Sequence, residues 1–455
     1  MALDLLVHGG TLVTEAGLVL ADIGVRDGRI VSLTDPLHPP AATEQLDARG
    51  RHVFPGVVDA HVHLNDPGRT HWEGFASGTA AAAVGGTTTV MDMPLNSSPP
   101  VIDRAALDLK QRVAQGQARV DYALWGGLVT DNVASLGALV DGGVVGCKAF
   151  MCDSGIDEYA RATDGVLLAG LRELTSRGAI LALHAENTEL CDHAGADLRA
   201  RGRRDWRAWA ESRPPLVELE AVRRGLLLAS QVPSARLHFV HLSTSAALRE
   251  VATARRAGLD VTAETCPHYL SLTVDDLERA GSAAKCAPPL REAAEIEALW
   301  QCVMDGAVSF IASDHSPASP EEKEKGGGDA WLAWGGISGI QTLLAAVLTE
   351  GVHRRGLPLP SAARLLSTAP SRRFGLYPRK GSLNIGADAD LTIVDLDREW
   401  TLRPDSLRTR HPLSPFIGRS FKGWVEATLV RGVVVARDGE AIGPSDHGLL
   451  LRPIT

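Results

Sequence analysis

The sequence predicts an α/β fold, in which a closed (β/α)8 barrel of parallel strands is joined to a small β-sandwich domain formed from both termini. Three observations support this prediction. Short strand-like segments occupy both ends of the chain. Between them, apolar runs alternate with helical patterns. Histidine, lysine and aspartate side chains recur at the downstream ends of five of these apolar runs.

The β-sandwich is predicted from the similar character of the two ends. The beginning contains LLVHGGTLVT, ADIGVRDGRIVSL with Asp27-Gly28 as a hairpin turn, and RHVF. The far end contains DADLTIVDL and WVEATLVRGVVVARDGEAI, and VHGGTLV near the start resembles VRGVVVA near the end. A barrel inserted into one small β domain explains this arrangement. The predicted domains are residues 1–54 (sandwich, first part), 55–375 (barrel) and 376–455 (sandwich, second part, and C-terminal tail).

The barrel is predicted from eight apolar runs. They are VFPGVVDAHVH, TTTVMDMP, VDYALWGGLV, VVGCKAFM, AILALHAE, RLHFVHLS, DVTAETCPHYL and SFIASDHS. Helical patterns such as RAALDLKQRVAQ and AALREVATARRAG separate them, which is typical of parallel strands with crossover helices. Eight such strands favour a closed barrel. A doubly wound open sheet is the alternative, and it would spread the polar strand ends along a crevice.

The polar residues at the strand ends are of types that bind metals. They are His61 and His63 after VFPGVVDA, Lys148 in VVGCKAF, His184 in AILALHAEN, His241 in LHFVHLS, and Asp314 in SFIASDH. In a parallel barrel the carboxyl ends of the strands meet at one mouth. Side chains two residues apart lie on the same side of a strand, so His61 and His63 can bind one ion while Val62 points away. The pattern predicts one metal site assembled from the whole chain.

These residues are numerous enough for two ions. Four histidines and one aspartate exceed what a single catalytic ion with an open position needs, and two ions would lie about 3.5–4 Å apart. Two dications would repel Lys148 as an ammonium, whereas a carbamate made from its amine and CO2 would bridge them. The carbamate, Asp314 and a bridging hydroxide would then offset most of the positive charge. We expect zinc, with cobalt or manganese as alternatives.

Composition limits the kinds of molecule that the protein is expected to bind. The 455 residues allow one large domain and a smaller one. A net charge of -9 and a pI of about 5.9 argue against nucleic acid or an anionic membrane and favour a small neutral or mixed-charge substrate. The six cysteines form no CxxC pair, which favours reduced thiols in a cytoplasmic protein. We recognise no signal peptide and no apolar run of the roughly 20 residues that a membrane span needs.

The joint spacing of the metal-ligand residues resembles the cyclic amidohydrolases of the amidohydrolase superfamily, over nearly the whole chain. This resemblance implies a barrel with a small β-sandwich, two zinc ions, a carboxylated lysine and, commonly, a homotetramer. It assigns His61, His63, Lys148 and Asp314 to the first ion, and Lys148 (as N6-carboxylysine), His184 and His241 to the second. It also implies that Asp314 serves as general base and then as acid when a cyclic amide is opened.

Long motifs resemble the branch of this family that hydrolyses allantoin, a cyclic ureide, to allantoate. They are NDPGRTHWEGFASGT, DMPLNSSPP, SGIDEY, ESRPP, ETCPHYL, KCAPPLRE and SDHSP. Dihydroorotases typically have an arginine two residues after the second histidine, where this chain has Asn65, an amide better suited to a neutral ring; Arg69 is close in sequence. Hydantoinases and dihydropyrimidinases typically have a tyrosine shortly after the carboxylated lysine, whereas here Tyr159 is farther along.

Two alternatives remain open at this point. The first is a hydantoinase or dihydropyrimidinase, which would use the same mechanism on another ring. The second is a catalytically silent scaffold of the same fold, which would be expected to lack some of the metal ligands that this chain keeps. Metal analysis and substrate preference separate these possibilities.

Further residues are candidates for the pocket and its surroundings. As substrate contacts, the resemblance points to Asn65, Asn96, Cys286, Ala287, Ser316 and the stretch GGISG. His238 is expected to have a supporting or packing role. His268 and His315 are candidates either for contact with the site or for purely structural roles, and Asp92 and Glu186 for contact with substrate, for support of the ligands or for neither. The segment 316–331, rich in proline, charge and glycine, is interpreted as a mobile loop over the mouth or as an inert surface loop.

Overall fold

The computed structural model describes residues 2–454. The strands are β1 (Leu3–Thr14), β2 (Gly17–Arg26), β3 (Arg29–Thr34), β4 (Ala42–Asp47), β5 (His52–Pro55), β6 (Val57–Val62), β7 (Thr87–Asp92), β8 (Asp121–Leu124), β9 (Gly126–Gly127), β10 (Cys147–Phe150), β11 (Ile180–His184), β12 (Arg236–Phe239), β13 (Asp260–Thr265), β14 (Phe310–Ile311), β15 (Leu391–Thr401), β16 (Ser420–Val430), β17 (Val433–Arg437) and β18 (Glu440–Ala441).

The helices mostly connect the strands of the middle region. They are α1 (Phe75–Val84), α2 (Arg104–Ala114), α3 (Leu136–Asp141), α4 (Asp164–Ser176), α5 (Thr188–Ala200), α6 (Trp206–Glu211), α7 (Pro215–Ser230), α8 (Ser245–Arg256), α9 (Val274–Ala280), α10 (Ala293–Met304), α11 (Pro320–Lys323), α12 (Leu343–Ala346), α13 (Leu359–Ala363) and α14 (Ala369–Arg373). Two π-helical segments, Val347–His353 and Arg364–Thr368, follow α12 and α13. Among residues 2–454, none of the helices has the length and apolar character needed to cross a membrane.

The middle strands form a closed parallel barrel. Strands β6, β7 and β8 pair in parallel, and β9 to β14 form a second parallel run. Only Trp125 separates β8 from β9, so the two are parts of one barrel strand. The ring closes where Val62 forms a parallel bridge with His315 and the His63 amide donates to the His315 carbonyl at 2.7 Å. The predicted eight-stranded barrel is confirmed, and the open-sheet alternative is wrong because the first and last strands are joined.

The barrel strands are buried because helices cover their outer faces. Every residue of β6, β7, β10 and β11 is buried, as expected for parallel strands covered on both sides. The covering helices begin at polar residues that cap them: Asp103 accepts from the Ala106 amide before α2, and Thr163 accepts from the Val166 amide before α4. The predicted alternation of strands and helices therefore follows from apolar strands that become buried and from helices that are capped by residues next to them in the sequence.

Both termini contribute to the β-sandwich. Its sheet has the order β18-β17-β16-β15-β5-β1-β2-β3, with β4 added beside β1. The N-terminal β5 pairs antiparallel with the C-terminal β15, which joins the two ends of the chain. Asp27 and Gly28 have positive φ values of 50° and 73°, as the tight turn between β2 and β3 requires. The sandwich formed from both termini is confirmed, while the domain boundaries near residues 54 and 375 stay a prediction.

A buried charge cluster connects the sandwich to the barrel. Lys380 Nζ lies 2.5 Å from Asp121 at the start of β8, and 2.9 and 2.7 Å from Asp388 and Asp390 just before β15. Arg431 also pairs with Asp121. Burial alone would lower the pKa of Lys380, but the carboxylates raise it above its ordinary value. One lysine therefore offsets the charges of carboxylates from both parts of the fold.

Removing that lysine should destabilise the protein strongly. Lys380→Met leaves buried carboxylates with less compensating charge, so we expect the free energy of unfolding to fall by about 3–5 kcal/mol. Urea denaturation at pH 7, followed by circular dichroism, measures the change. Lys422→Met, which removes a half-buried lysine 3.9 Å from Asp397, is the matched control and should change stability by about 0.5 kcal/mol or less. Similar midpoints for the two variants would mean that the cluster does not join the domains.

Candidate metal centre

Three of the predicted ligands lie together at the carboxyl end of the barrel. Potential ligand atoms of His61, His63 and Asp314 are all within 4.8 Å of one another. The Asp314 Oδ1 atom is 3.2 Å from His61 Nε2 and 3.6 Å from His63 Nε2. His61 lies in β6, and His63 is the first residue after this strand. Strand alternation therefore brings both rings to the carboxylate of Asp314, which lies three residues after β14.

A second pair of histidines adjoins this group. His184, the last residue of β11, places Nδ1 3.0 Å from Nε2 of His241, which follows β12. The His241 ring centroid is 5.3 Å from that of His61. Burial, followed by neighbouring positive groups, holds the pKa of both His61 and His241 well below the ordinary value. These rings are therefore neutral, which is the form that binds a metal ion.

Lys148 completes the cluster from β10. Its side chain is 1% exposed, and Nζ lies 5.0 Å from the centre of the Phe150 ring. Within residues 2–454 it forms no ion pair. Burial lowers the pKa of Lys148 to about 8, with Asp314 and Glu264 opposing the shift. Its charge in turn lowers the pKa of His61, which places the amine among the ligands.

The donor set fits divalent ions. His61 Nε2 is fully buried, has no hydrogen-bond partner and yet faces the Asp314 carboxylate at 3.2 Å. A buried imidazole nitrogen without a partner is costly, and a cation between nitrogen and carboxylate would satisfy both groups. Neutral imidazoles with one aspartate are a ligand set suited to zinc and related ions.

Buried carboxylates behind the cluster orient two of the histidines. Glu264 lies 2.5 Å from His61 Nδ1 and also contacts His238 Nε2 at 3.2 Å. Glu186 lies 2.7 Å from His184 Nε2. Each carboxylate occupies one ring nitrogen, which leaves His61 Nε2 and His184 Nδ1 for a metal. Glu264 was not among the residues predicted from the sequence, although a carboxylate at the end of β13 was an available signal.

Glu186 belongs to a further buried group of possible ligands. Cys152, His184 and Glu186 have donor atoms within 4.8 Å of one another. However, Arg213 lies 2.7 Å from the same Glu186 oxygen and donates to Cys191 Sγ at 3.6 Å. Burial raises the pKa of Glu186, but Arg213 and His184 outweigh it and hold the pKa at about 2. A guanidinium thus already balances this carboxylate, and the group supports His184.

One cavity of about 830 Å³ contains the cluster. All the predicted metal ligands line it, together with four of the five predicted substrate contacts, Asn96, Cys286, Ala287 and Ser316. Asn96 Nδ2 and Ser316 Oγ are 3.4 Å apart across the wall. The volume is in the range of small-molecule sites.

The structure does not bring Asn65 into this cavity. Asn65 has a φ of 67° and is fully buried, and its side chain donates to the Pro317 carbonyl at 3.2 Å. The amide thus points toward the loop after Asp314, and its expected contact with substrate stays a prediction. Arg69 does line the cavity, but it donates to the Asn96 carbonyl at 3.2 Å and lies 3.7 Å from Glu158.

Other candidates have supporting positions. Tyr159 is buried and donates to the Lys148 carbonyl at 2.6 Å, and it does not line the cavity. His238 bonds to Thr262 and Glu264, as the packing interpretation predicts. Asp92 accepts from the Leu64 amide and pairs with Lys110 at 2.5 Å, away from the cavity wall.

The segment 316–331 lines part of the cavity and has structure of its own. It contains the short helix α11, and Glu322, Lys325 and Trp331 line the cavity. The Trp331 indole donates to the Arg203 carbonyl at 2.9 Å, and Arg204 pairs with Asp329 at 2.9 Å. These contacts hold the segment against the loop before α6.

Comparisons with known proteins agree with this geometry. A family model described as the amidohydrolase family matches residues 52–435. The chain is 48% identical over 453 residues to an allantoinase of Deinococcus radiodurans, covering 100% of this chain and 99% of that protein. It is also 48% identical over 453 residues to an allantoinase of Rubrobacter xylanophilus, covering 99% of this chain and 98% of that protein.

Solved structures with the same fold are also similar. An L-hydantoinase (dihydropyrimidinase) from Arthrobacter aurescens has a TM-score of 0.96 and 35% sequence identity, covering 99% of this chain and 100% of that chain. A D-hydantoinase has a TM-score of 0.92 and 32% identity, covering 99% of this chain and 98% of that chain.

Proposed function

The chain belongs to the amidohydrolase family, and we propose that it hydrolyses a ring amide bond of allantoin to give allantoate. The observation that carries this proposal is the convergence of His61, His63 and Asp314 with His184 and His241 around the buried Lys148, in one cavity at the barrel mouth. The identity to allantoinases over the full chain supports the choice of substrate.

Two divalent ions, most simply zinc, would be held by these residues. We assign His61, His63 and Asp314 to one ion, His184 and His241 to the other, and Lys148 to both as a carbamate. Burial disfavours the ammonium form of Lys148, and a neutral amine is the form that reacts with CO2. When bound, the ions would polarise the amide carbonyl and lower the pKa of a water molecule.

Residues of the chain then accept a proton from the attacking water and return it to the leaving nitrogen. Asp314 lines the cavity and accepts a proton as the water oxygen bonds to the carbonyl carbon. When the ring C–N bond breaks, the same carboxyl returns this proton to the departing nitrogen. Glu264 and Glu186 keep His61 and His184 in the orientations that expose one nitrogen each.

We also propose the cellular setting of the enzyme. The six cysteines are free and buried, which suits a reducing cytoplasm. The homotetramer implied by the resemblance is the expected assembly. The expected partner is a small cyclic ureide.

A hydantoinase or dihydropyrimidinase is the second candidate, because the similar solved structures carry those names. The position of Tyr159, buried under the Lys148 carbonyl rather than in the cavity wall, favours allantoin instead. We expect kcat/KM to be highest for allantoin when zinc-loaded protein with bicarbonate is assayed on allantoin, hydantoin, dihydrouracil and dihydroorotate. A higher value for hydantoin or dihydrouracil would assign the enzyme to the second candidate.

A further inference from the structure

Lys285 is a buried lysine in the cavity wall that the reaction described above does not use. Its residue surface is 4% exposed, and it lines the cavity next to Cys286. Among residues 2–454 it forms no ion pair with any carboxylate. Lysine is almost never buried this deeply unless it is paired. We therefore expect the Lys285 ammonium to interact with a further polar group.

The ammonium is only partly satisfied by the protein. Lys285 Nζ donates to the Ala333 carbonyl at 2.5 Å and lies 4.0 Å from the centre of the Trp209 ring. An ammonium has three N–H donors. One points to a carbonyl and one is accommodated by the indole face, which leaves one donor for a group in the cavity.

The surroundings are electropositive and indicate what that group is. Arg213, which also lines the cavity, packs on the same Trp209 ring at 4.5 Å. Burial, followed by Lys323 and Arg213, lowers the pKa of Lys285 to about 7, and Asp329 opposes the shift only weakly. Such a wall favours an electron-rich oxygen acceptor and disfavours a donor or a cation.

Lys285 lies on the same wall as the reacting groups. The next residue, Cys286, is fully buried, and its pKa is raised to about 12 by burial and then by the nearby Asp314 carboxylate. The Cys286 carbonyl accepts from the Trp209 indole at 2.8 Å, which fixes this stretch of the wall. A ring amide held near Asp314 would therefore lie in the same cavity as Lys285, into which a substituent on the ring can extend.

We propose that Lys285 is the subsite for the ureido tail of allantoin and donates a hydrogen bond to the tail carbonyl oxygen. This inference rests on the proposed function, because it requires allantoin to be the substrate. Hydantoin has the same ring without the tail and therefore serves as the comparison. Lys285 thereby determines specificity between substituted and unsubstituted rings, while the ring chemistry depends on the metal-ligand cluster.

The test compares two substrates in two proteins. We expect Lys285→Met to lower the ratio of kcat/KM for allantoin over hydantoin roughly tenfold to a hundredfold, which corresponds to one lost charge-assisted hydrogen bond. The inhibition constant of hydantoin against allantoin hydrolysis supplies the same comparison where hydantoin turns over slowly. Lys285→Arg, which keeps a cation, should recover part of the ratio.

Lys323→Met is the matched control. Lys323 is also a buried lysine without a carboxylate partner among residues 2–454, and it donates to the Ser282, Trp334 and Gly336 carbonyls, but it does not line the cavity. Replacing Lys323 should change kcat/KM for allantoin and for hydantoin by the same factor. Lys285→Gln, which removes the charge and keeps a polar side chain, serves if the methionine variant does not fold.

Three results would overturn the inference. An unchanged ratio in both Lys285→Met and Lys285→Gln would mean that the ammonium does not touch the tail. An equal loss on both substrates, as in Lys323→Met, would give Lys285 only an anchoring role for the loop. A preference of the wild-type enzyme for hydantoin would contradict both this inference and the proposed function. The wild-type assay alone shows that result, whereas failure of this inference alone appears only in the Lys285 variants.

Discussion

Replacing Asp314 with asparagine is expected to lower kcat by about 10²- to 10⁴-fold, the range attributed to general acid–base catalysis. The amide keeps the shape of the side chain but cannot accept a proton from water, and it is a weaker ligand for a cation. Asp314 Oδ1 lies 3.2 Å from His61 Nε2, so removing the carboxylate charge directly affects the metal-ligand cluster. Steady-state kinetics and elemental analysis of the same sample separate lost proton transfer from lost metal.

The variant is expected to remain folded, because asparagine fills the same space. The thermal midpoint should therefore stay close to that of the wild type. Asp197→Asn, an exposed carboxylate on α5 that pairs with Arg201, is the control and should leave kcat unchanged within experimental error. Near-normal turnover by Asp314→Asn would exclude the assigned role.

Replacing Lys148 with alanine should abolish both metal binding and activity. The amine is 1% exposed and lies among the histidines, where its carbamate would supply the anionic group that bridges two ions. Without the carbamate, the positive charge of two dications would be insufficiently offset. We expect the ion content per chain, measured by elemental analysis, to fall from two to well below one.

Lys148→Met provides a stricter version of this test. It preserves the volume of the side chain and removes only the amine, so both variants should behave alike if chemistry rather than packing is responsible. Two ions per chain in either variant would contradict a bridging carbamate. Full activity with two ions bound would mean that Lys148 takes no part in metal binding or catalysis.

The fold could be predicted because its signals are local and repeated. Runs such as those of β7 and β11 are wholly buried and were recognisable as strands between helical patterns. The convergence of His61 and Asp314 also followed from topology alone, because the carboxyl ends of parallel barrel strands meet. No side-chain contact had to be known for either conclusion.

The site's surroundings could not be predicted in the same way, because they depend on tertiary geometry. Asn65 was expected to face substrate, and only the fold shows that its amide donates to the Pro317 carbonyl. Glu264 lies in a predicted strand and could have been named from that position, but only the fold shows that it contacts both His61 and His238. The sequence does not reveal that Lys285 is buried without a carboxylate, since its neighbours come from distant segments.

The most direct test of the central claim is to follow allantoin by ¹³C NMR in the presence of purified, zinc-loaded protein and bicarbonate. We expect the ring carbonyl signal to be replaced by the carboxylate signal of allantoate, at a rate that is proportional to the enzyme concentration and is abolished by Asp314→Asn. Unchanged allantoin, in a preparation that opens hydantoin or dihydrouracil, would contradict the proposed function.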